Sequence, residues 1–336
     1  MHKINFQLIT KAAGVSKGLV SRALNDKANV SEKTRDKIIR VANSLGYDFN
    51  HLRSKKKKKF CLLVLTENMM KHIDFWDPII RKITTTLGEH RIRLEYFIID
   101  ESISIQKTKE RLQSIQTAGY VFIHYNPSEL LEVANENNLP VVVIDPKYNH
   151  ADKHWNVQFD NVATTLELTN LLAANGHNHI LFYGPKNDSL SFDDRNWGFE
   201  LGLKQSRNLK GYNLLFNNKS GNYEDKEKLI KVLNKNPQIT AIICANDMIA
   251  LNCERTIREL GKRVPDDYSL VGFDNIEESK SISLTTVNIP REELGIEAAK
   301  YLWKRLNDQQ LKYSRLTIYC ELLIRNSIRN INEGDH

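Results

Sequence analysis

The sequence predicts a small all-α helix-turn-helix head followed by a two-lobed α/β domain, each lobe a doubly wound parallel sheet. Three observations predict it. Residues 1–59 hold 15 Lys+Arg against 4 Asp+Glu, a balance of +11, whereas residues 60–336 hold 33 against 37, a balance of −4. The basic end contains AGVSKGLVSRALN at Ala13–Asn25, two short helices around a tight turn. From Phe60 onward, short β-branched runs alternate with helical stretches in two successive series. A chain of 336 residues exceeds one ordinary core, and a basic segment on an otherwise slightly acidic chain points to a polyanion partner for that end.

In the head, Asn5 is placed to cap a helix over Phe6–Ala13, and Gly14 supplies the left-handed residue that ends it. Ser16 then caps a helix over Lys17–Leu24. Ala12, Ala13, Val15, Val20 and Leu24 can pack the two together. This leaves Lys17, Gly18, Ser21 and Arg22 at the front and outer side of the second helix, as a major-groove reader requires, although an ordinary αα-turn has the same outline. Ser31 caps a third helix, with Glu32 where the helix dipole favours negative charge. Ile38, Ile39, Val41, Ala42 and Leu45 form its apolar face and Gly46 its end. Leu52–Lys59 reads LRSKKKKK. Like charges in a row cannot fold on themselves, so this is either a solvated tether or a contact to phosphates.

The α/β part begins with strands at Phe60–Leu65, Leu94–Ile99, Tyr120–His124 and Val141–Asp145, separated by helices near Pro78–His90, Ile105–Gln116 and Ser128–Asn137. Strands at Ile180–Tyr183, Leu214–Phe216, Ala241–Ala245 and Ser269–Phe273 follow, with helices near Val162–Ala174, Asn196–Ser206, Asp225–Asn234 and Asp247–Leu260. Such alternation means parallel sheets with ligands bound at the carboxyl ends of the strands.

The longest apolar runs are only strand length and no leader precedes Asn5, so the expectation is a cytoplasmic protein with no membrane partner. Cys61, Cys244, Cys253 and Cys320 lie far apart without a C-x-x-C pair, and three of them sit in apolar runs as small buried hydrophobes. His177 and His179 belong to a turn and the start of a strand rather than to a metal pair. No phosphate loop, nucleophile elbow or zinc signature occurs, so no catalytic constellation, metal or cofactor is expected.

The phrases AGVSKGLVSRALN, VSEKTRDKI and LGY resemble the DNA-binding head of the lac repressor/galactose repressor family of bacterial transcription regulators. The resemblance continues through NVQFDNVATTLELTNLL, NGHNHILFYGP, DDRNWGFELGL, AIICANDMIALNCERTIRELGKRVPDDYSLVGFDN and LTTVNIPREELGIEAAKYL, and covers nearly the whole chain. It implies a periplasmic-binding-protein-like sensor of two lobes joined by three crossings, near Val157, Thr286 and Arg315. The implied domains are 1–50 for the head, 51–59 for a basic linker, and 60–336 for effector binding and dimerisation. Lobe one would then span about 60–157 and 288–312, and lobe two about 158–287 and 313–330. The linker is shorter than the family's hinge, and Leu52 is its one candidate for a minor-groove wedge.

The same resemblance implies the site residues. Lys17 and Arg22 are the candidates for reading bases, and Gly18 presents no side chain where the family reads one. Ser16, Ser21, Asn25 and Ser31 are candidates for phosphate contacts, together with Lys55, Lys56 and Lys57 of the linker. For a small polar ligand the candidates are Arg195, whose fork suits vicinal oxygens, and Asn246, Asp247 and Asp274 after two strands. Asp247 could equally be a helix cap. Phe75 and Trp76 suit an aromatic wall, Asp160 the lobe crossing, and Ile289 a position where the family has glutamine.

The function expected is a sequence-specific repressor, a homodimer on palindromic double-stranded operator DNA, controlled by a small effector such as a carbohydrate. A sugar-binding protein with only non-specific nucleic-acid tethering, and a regulator governed by a protein corepressor, stand as alternatives.

Overall fold

A computed structural model describes residues 6–24, 30–45, 60–149, 154–206, 208–218, 224–307 and 315–332. The chain divides into two compact units, Met1–Lys59 and Phe60–His336. Asn5, Asn25, Gly46, Leu52 and the lysines Lys55, Lys56 and Lys57 lie outside the described residues.

The first unit contains α1 (Phe6–Ala13), α2 (Lys17–Leu24) and α3 (Glu32–Ser44). Ile9, Ala13, Val20, Ala23, Leu24, Ile38 and Ala42 form its small core. Gly14 ends α1 at φ +65°, and its N–H and that of Val15 both return to the Thr10 carbonyl. That geometry is cheap only for glycine.

In the second unit, lobe one is built on β1 (Phe60–Thr66), β2 (Arg93–Ile99), β3 (Tyr120–Ile123), β4 (Val141–Ile144), β5 (Trp155–Phe159) and β11 (Arg315–Ile318). They form one parallel sheet in the order β11-β5-β4-β3-β1-β2. The central strands are buried along their length, which is why they read as unbroken apolar runs rather than alternating ones. Helices α4 (Glu67–Lys71), α5 (Ile73–Glu89), α6 (Ile105–Gln113), α7 (Ser128–Glu136) and α12 (Arg291–Leu306) belong to this lobe. Lobe two has β6 (His179–Pro185), β7 (Lys210–Phe216), β8 (Ala241–Cys244) and β9 (Ser269–Val271) in the parallel order β7-β6-β8-β9. Its helices are α8 (Asn161–Ala174), α9 (Leu190–Gln205), α10 (Lys226–Lys235) and α11 (Asp247–Glu259). Two short antiparallel strands, β10 (Thr286–Asn288) and β12 (Glu321–Leu323), pair in the passage between the lobes.

Two expectations are corrected here. Arg315–Ile318 pairs with Asn156–Phe159 in the lobe-one sheet, so the last crossing comes after Ile318 and not near Arg315, whereas the first follows Phe159, close to the expected Val157. The helix expected from Pro78 begins at Ile73, with Pro78 inside its second turn, so Phe75 and Trp76 are helical.

Candidate functional site

The exposed side of α2 gathers the head's candidates. Lys17, Gly18 and Arg22 are exposed and Ser21 is half-buried, whereas Val20, Ala23 and Leu24 face the core. Helical spacing places Lys17 beside Ser21 and Gly18 beside Arg22. Ser16 caps α2, its hydroxyl accepting the Leu19 N–H at 3.3 Å, and Ser31 caps α3 by accepting the Thr34 N–H at 3.3 Å.

In the second unit a cavity of about 750 Å³ opens between the carboxyl ends of the two sheets. Phe75, Trp76, Arg195, Asn246 and Asp274 of the expected set line it. Trp76 meets Phe75 edge-on at 4.7 Å between ring centroids, so α5 offers an aromatic wall on the lobe-one side. Arg195 projects from α9 and is 5% exposed. Its Nε donates to Asn161 Oδ1 (2.9 Å), Nη1 to the Ala245 carbonyl (2.6 Å) and Nη2 to Asp274 Oδ1 (3.3 Å), while its guanidinium lies 3.7 Å from the Phe273 ring centroid. Three acceptors fix the plane of the fork and leave donors over for a ligand. Burial pushes the Asp274 pKa up to about 7, outweighing the Arg195 charge that favours its ionised form. Asn246 caps α11, accepting the Ile249 N–H at 2.9 Å.

The structure does not bring Asp160, Asp247 or Ile289 to this cavity. Asp160 caps α8 by accepting the Ala163 N–H at 3.0 Å. Asp247 is fully buried, holding the Thr286 hydroxyl at 2.5 Å and the Ile276 N–H at 3.0 Å. The cap of α11 is Asn246 instead, and Asp247 does not line the cavity. Its carboxyl also sits under Gly272, where a Cβ would stand 2.2 Å from Oδ1. Ile289 is apolar where a glutamine would seek the cleft, and it packs into the main core at 3% exposure.

Several residues of the site escaped sequence reading. Asp145 follows β4 and His124 follows β3, both at positive φ (47° and 58°). Asp274 and Asn275 after β9 share this feature at 112° and 51°. Four non-glycine residues in a sparsely populated backbone region, all lining one cavity, mark where the fold bears local strain. Ser191 of α9 donates to Asp145 Oδ1, and His124 Nδ1 lies 3.5 Å from Asp145 Oδ2. The signal available for Asp145 was its place at the carboxyl end of a parallel strand. Behind the site, Arg325 donates to Asn275 Oδ1 (2.6 Å) and to the Leu284 carbonyl (2.8 Å). No group of His, Cys, Asp and Glu suited to a metal occurs among the described residues, and no helix there is long and apolar enough to cross a membrane.

A basic three-helix head and a two-lobed α/β unit with a polar cleft define a DNA-binding, ligand-sensing class of protein. The description "Bacterial regulatory proteins, lacI family" matches residues 7–50, and "Periplasmic binding protein-like domain" matches residues 169–328. The HTH-type transcriptional regulator RegA of Clostridium saccharobutylicum is 28% identical over 333 residues, covering 95% of this chain and 97% of that protein. The HTH-type transcriptional repressor PurR of Actinobacillus pleuropneumoniae serotype 3 (strain JL03) is 29% identical, covering 97% and 98%. Two solved structures share the fold. The transcriptional regulator CelR–cellobiose complex has a TM-score of 0.68 at 23% identity, covering 96% of this chain and 99% of that one. The lac repressor dimer bound to operator and the anti-inducer ONPF has a TM-score of 0.69 at 22% identity, covering 98% and 100%. This chain carries a LacI-family head and a periplasmic-binding-protein-like domain, and it is a DNA-binding transcriptional regulator.

Proposed function

We propose that this regulator is a repressor that binds palindromic operator DNA as a homodimer and is controlled by a carbohydrate bound between its lobes. The observation that carries the effector half is Arg195 beside Asp274 on the cleft wall, opposite the aromatic pair Phe75 and Trp76. A fixed guanidinium and a carboxylate offer donors and acceptors to neighbouring hydroxyls, and an aromatic face takes the apolar side of a sugar ring. The cellobiose complex of CelR and the ONPF-bound lac repressor dimer on operator support the reading. The site works by binding alone, with no bond broken.

On the DNA side, Lys17 and Arg22 read base edges, Ser16, Ser21, Asn25 and Ser31 hold phosphates, and Lys55, Lys56 and Lys57 add non-specific affinity from the linker. Leu52 is the one candidate wedge. In the cleft, Arg195, Asn246, Asp274, Phe75 and Trp76 contact the effector.

The test of the DNA half is Arg22→Ala. An operator is first selected from a random duplex pool with the wild type, and discrimination against random duplex is then measured at one salt concentration. Loss of about 1–3 kcal/mol of discrimination is expected from one bidentate guanine contact. Unchanged discrimination removes Arg22 from base reading. For the effector half, calorimetry with mono- and disaccharides should find a ligand whose affinity falls roughly tenfold or more, about 1.4 kcal/mol, in Asp274→Ala.

A further inference from the structure

Of the charges buried deepest in the cleft, each has a partner, whereas Lys71 at the mouth and the half-buried Asp188 line it without an ion pair among the described residues. Asp274 is held by Arg195 at 3.3 Å, and Asp145 by Ser191 and His124. Asp74, Glu277 and Glu278 are exposed at the mouth, and Glu277 is paired with Lys280 at 2.6 Å. Arg291 lines the same cavity, half-buried, and makes no ion pair or side-chain hydrogen bond among the described residues. Its guanidinium lies over the Phe75 ring, 5.2 Å from the centroid. The neighbouring glutamate is not available to it, because Glu292 is engaged by Lys82 at 2.9 Å and Arg81 at 3.6 Å.

The Phe75 ring is the one side-chain contact recorded for this cation among the described residues. Arg291 opens the 16-residue helix α12, the end at which the helix dipole disfavours positive charge. The aromatic shelf shields one face of the fork and limits the conformations it can take, which is how a guanidinium is prepared for an incoming planar or tetrahedral anion. The cleft has a half-buried guanidinium with no direct ion pair beside an aromatic surface, and hydroxyl-binding groups on the opposite wall.

We propose that the cleft ligand carries an anionic group, a carboxylate or a phosphate, and that Arg291 is the residue that binds it. This rests on the reading of the cleft as a carbohydrate site and narrows it to acidic or phosphorylated sugars.

The test is calorimetry on the full-length protein with matched sets, each neutral mono- or disaccharide beside its uronate and its 6-phosphate. The expected result is that the anionic member of the best set binds roughly tenfold or more tightly than its neutral parent. Arg291→Gln should erase that advantage while leaving affinity for the neutral parent and the unliganded melting temperature unchanged. Arg291→Lys, which keeps the charge and loses the fork, should retain part of it. The uronate and phosphate arms separate the two anions. Equal or tighter binding of the neutral parents overturns the inference and leaves the carbohydrate site standing. An anionic preference that survives Arg291→Gln overturns the role of Arg291. Absence of binding by every set overturns the carbohydrate site and the inference with it.

Discussion

The hydroxyl of Ser191 donates to Oδ1 of Asp145, so a side chain of lobe two holds a carboxylate of lobe one across the cleft. A backbone bond runs beside it, from the Leu190 N–H to the Lys147 carbonyl at 3.2 Å. The bond continues inward, since Asn161 Nδ2 donates to Ser191 Oγ (3.2 Å) and Asn161 Oδ1 accepts from Arg195 (2.9 Å). Asp145, Ser191, Asn161, Arg195 and Asp274 therefore form one hydrogen-bonded chain from lobe one to the far wall of lobe two.

Removing the Ser191 hydroxyl leaves Asp145, 7% exposed, short of a partner. Burial alone would raise the Asp145 pKa, but His124 and Ser191 together hold it below the usual carboxylate value of 3.8. A depressed carboxylate stabilises the fold above its unfolded pKa and loses that contribution as pH falls through the folded one. Ser191→Ala should cost about 1–3 kcal/mol at neutral pH, and the deficit should shrink on acidification. Thermal melts of the full chain at several pH values measure this.

Asp274 has the opposite sign. With its pKa raised from 3.8 to about 7, the folded state keeps a proton that the unfolded state releases, so its contribution falls as pH climbs between those values. Asp274→Asn removes this titration and keeps an oxygen for Arg195. Between pH 5 and 8 the wild type should lose about 2 kcal/mol more stability than the variant. Asp194 and Asp247, both raised to about 6, keep some pH dependence in each protein. Urea unfolding at the two pH values compares them.

Gly198 allows α8 and α9 to approach. A Cβ there would stand 2.3 Å from the Val162 carbonyl oxygen and 3.0 Å from Thr165 Cβ. Backbone cannot yield as a flexible side chain can, so Gly198→Ala should destabilise by about 1–3 kcal/mol. The same separation strains the Asn161–Arg195 bond, so effector affinity should fall along with the melting temperature.

Gly18 is the converse case. A Cβ at Gly18 meets nothing within 4 Å and the residue sits inside α2. Gly18→Ala should therefore stabilise the head by about 0.5–1 kcal/mol through helix propensity alone, leaving effector affinity unchanged. A melt of the full chain resolved for the head transition checks it.

How far the site could be read in the sequence depended on how its residues are assembled. Arg195, in the second turn of α9, is legible only through the family resemblance of DDRNWGF, whereas Asn246 and Asp274 follow strands, where chain direction points them at the cleft. The helices of the head were legible locally, since Gly14, Ser16 and Ser31 act on their own neighbours. Asp145 and His124 draw their meaning from Ser191, which is contributed by the other lobe, and no local pattern encodes that meeting. Ile289 and Asp247 lie away from the cavity for a different reason. Their positions resemble ligand contacts, but an apolar side chain can gain free energy by entering the core, and a carboxylate with Thr286 and the Ile276 N–H beside it is already satisfied.

The central claim is that the cleft around Arg195 and Asp274 controls the affinity of the head for its operator. It is tested most directly by fluorescence anisotropy on the selected operator at fixed salt, with and without the cleft ligand, for wild type and Asp274→Ala. A coupling of about 1–3 kcal/mol predicts a shift of roughly 5- to 150-fold in wild-type operator affinity on adding ligand. The variant should bind operator as the wild type does without ligand, and at the same ligand concentration its shift should be lost. An identical shift in wild type and variant, or no shift in the wild type with the cleft occupied, would contradict the claim.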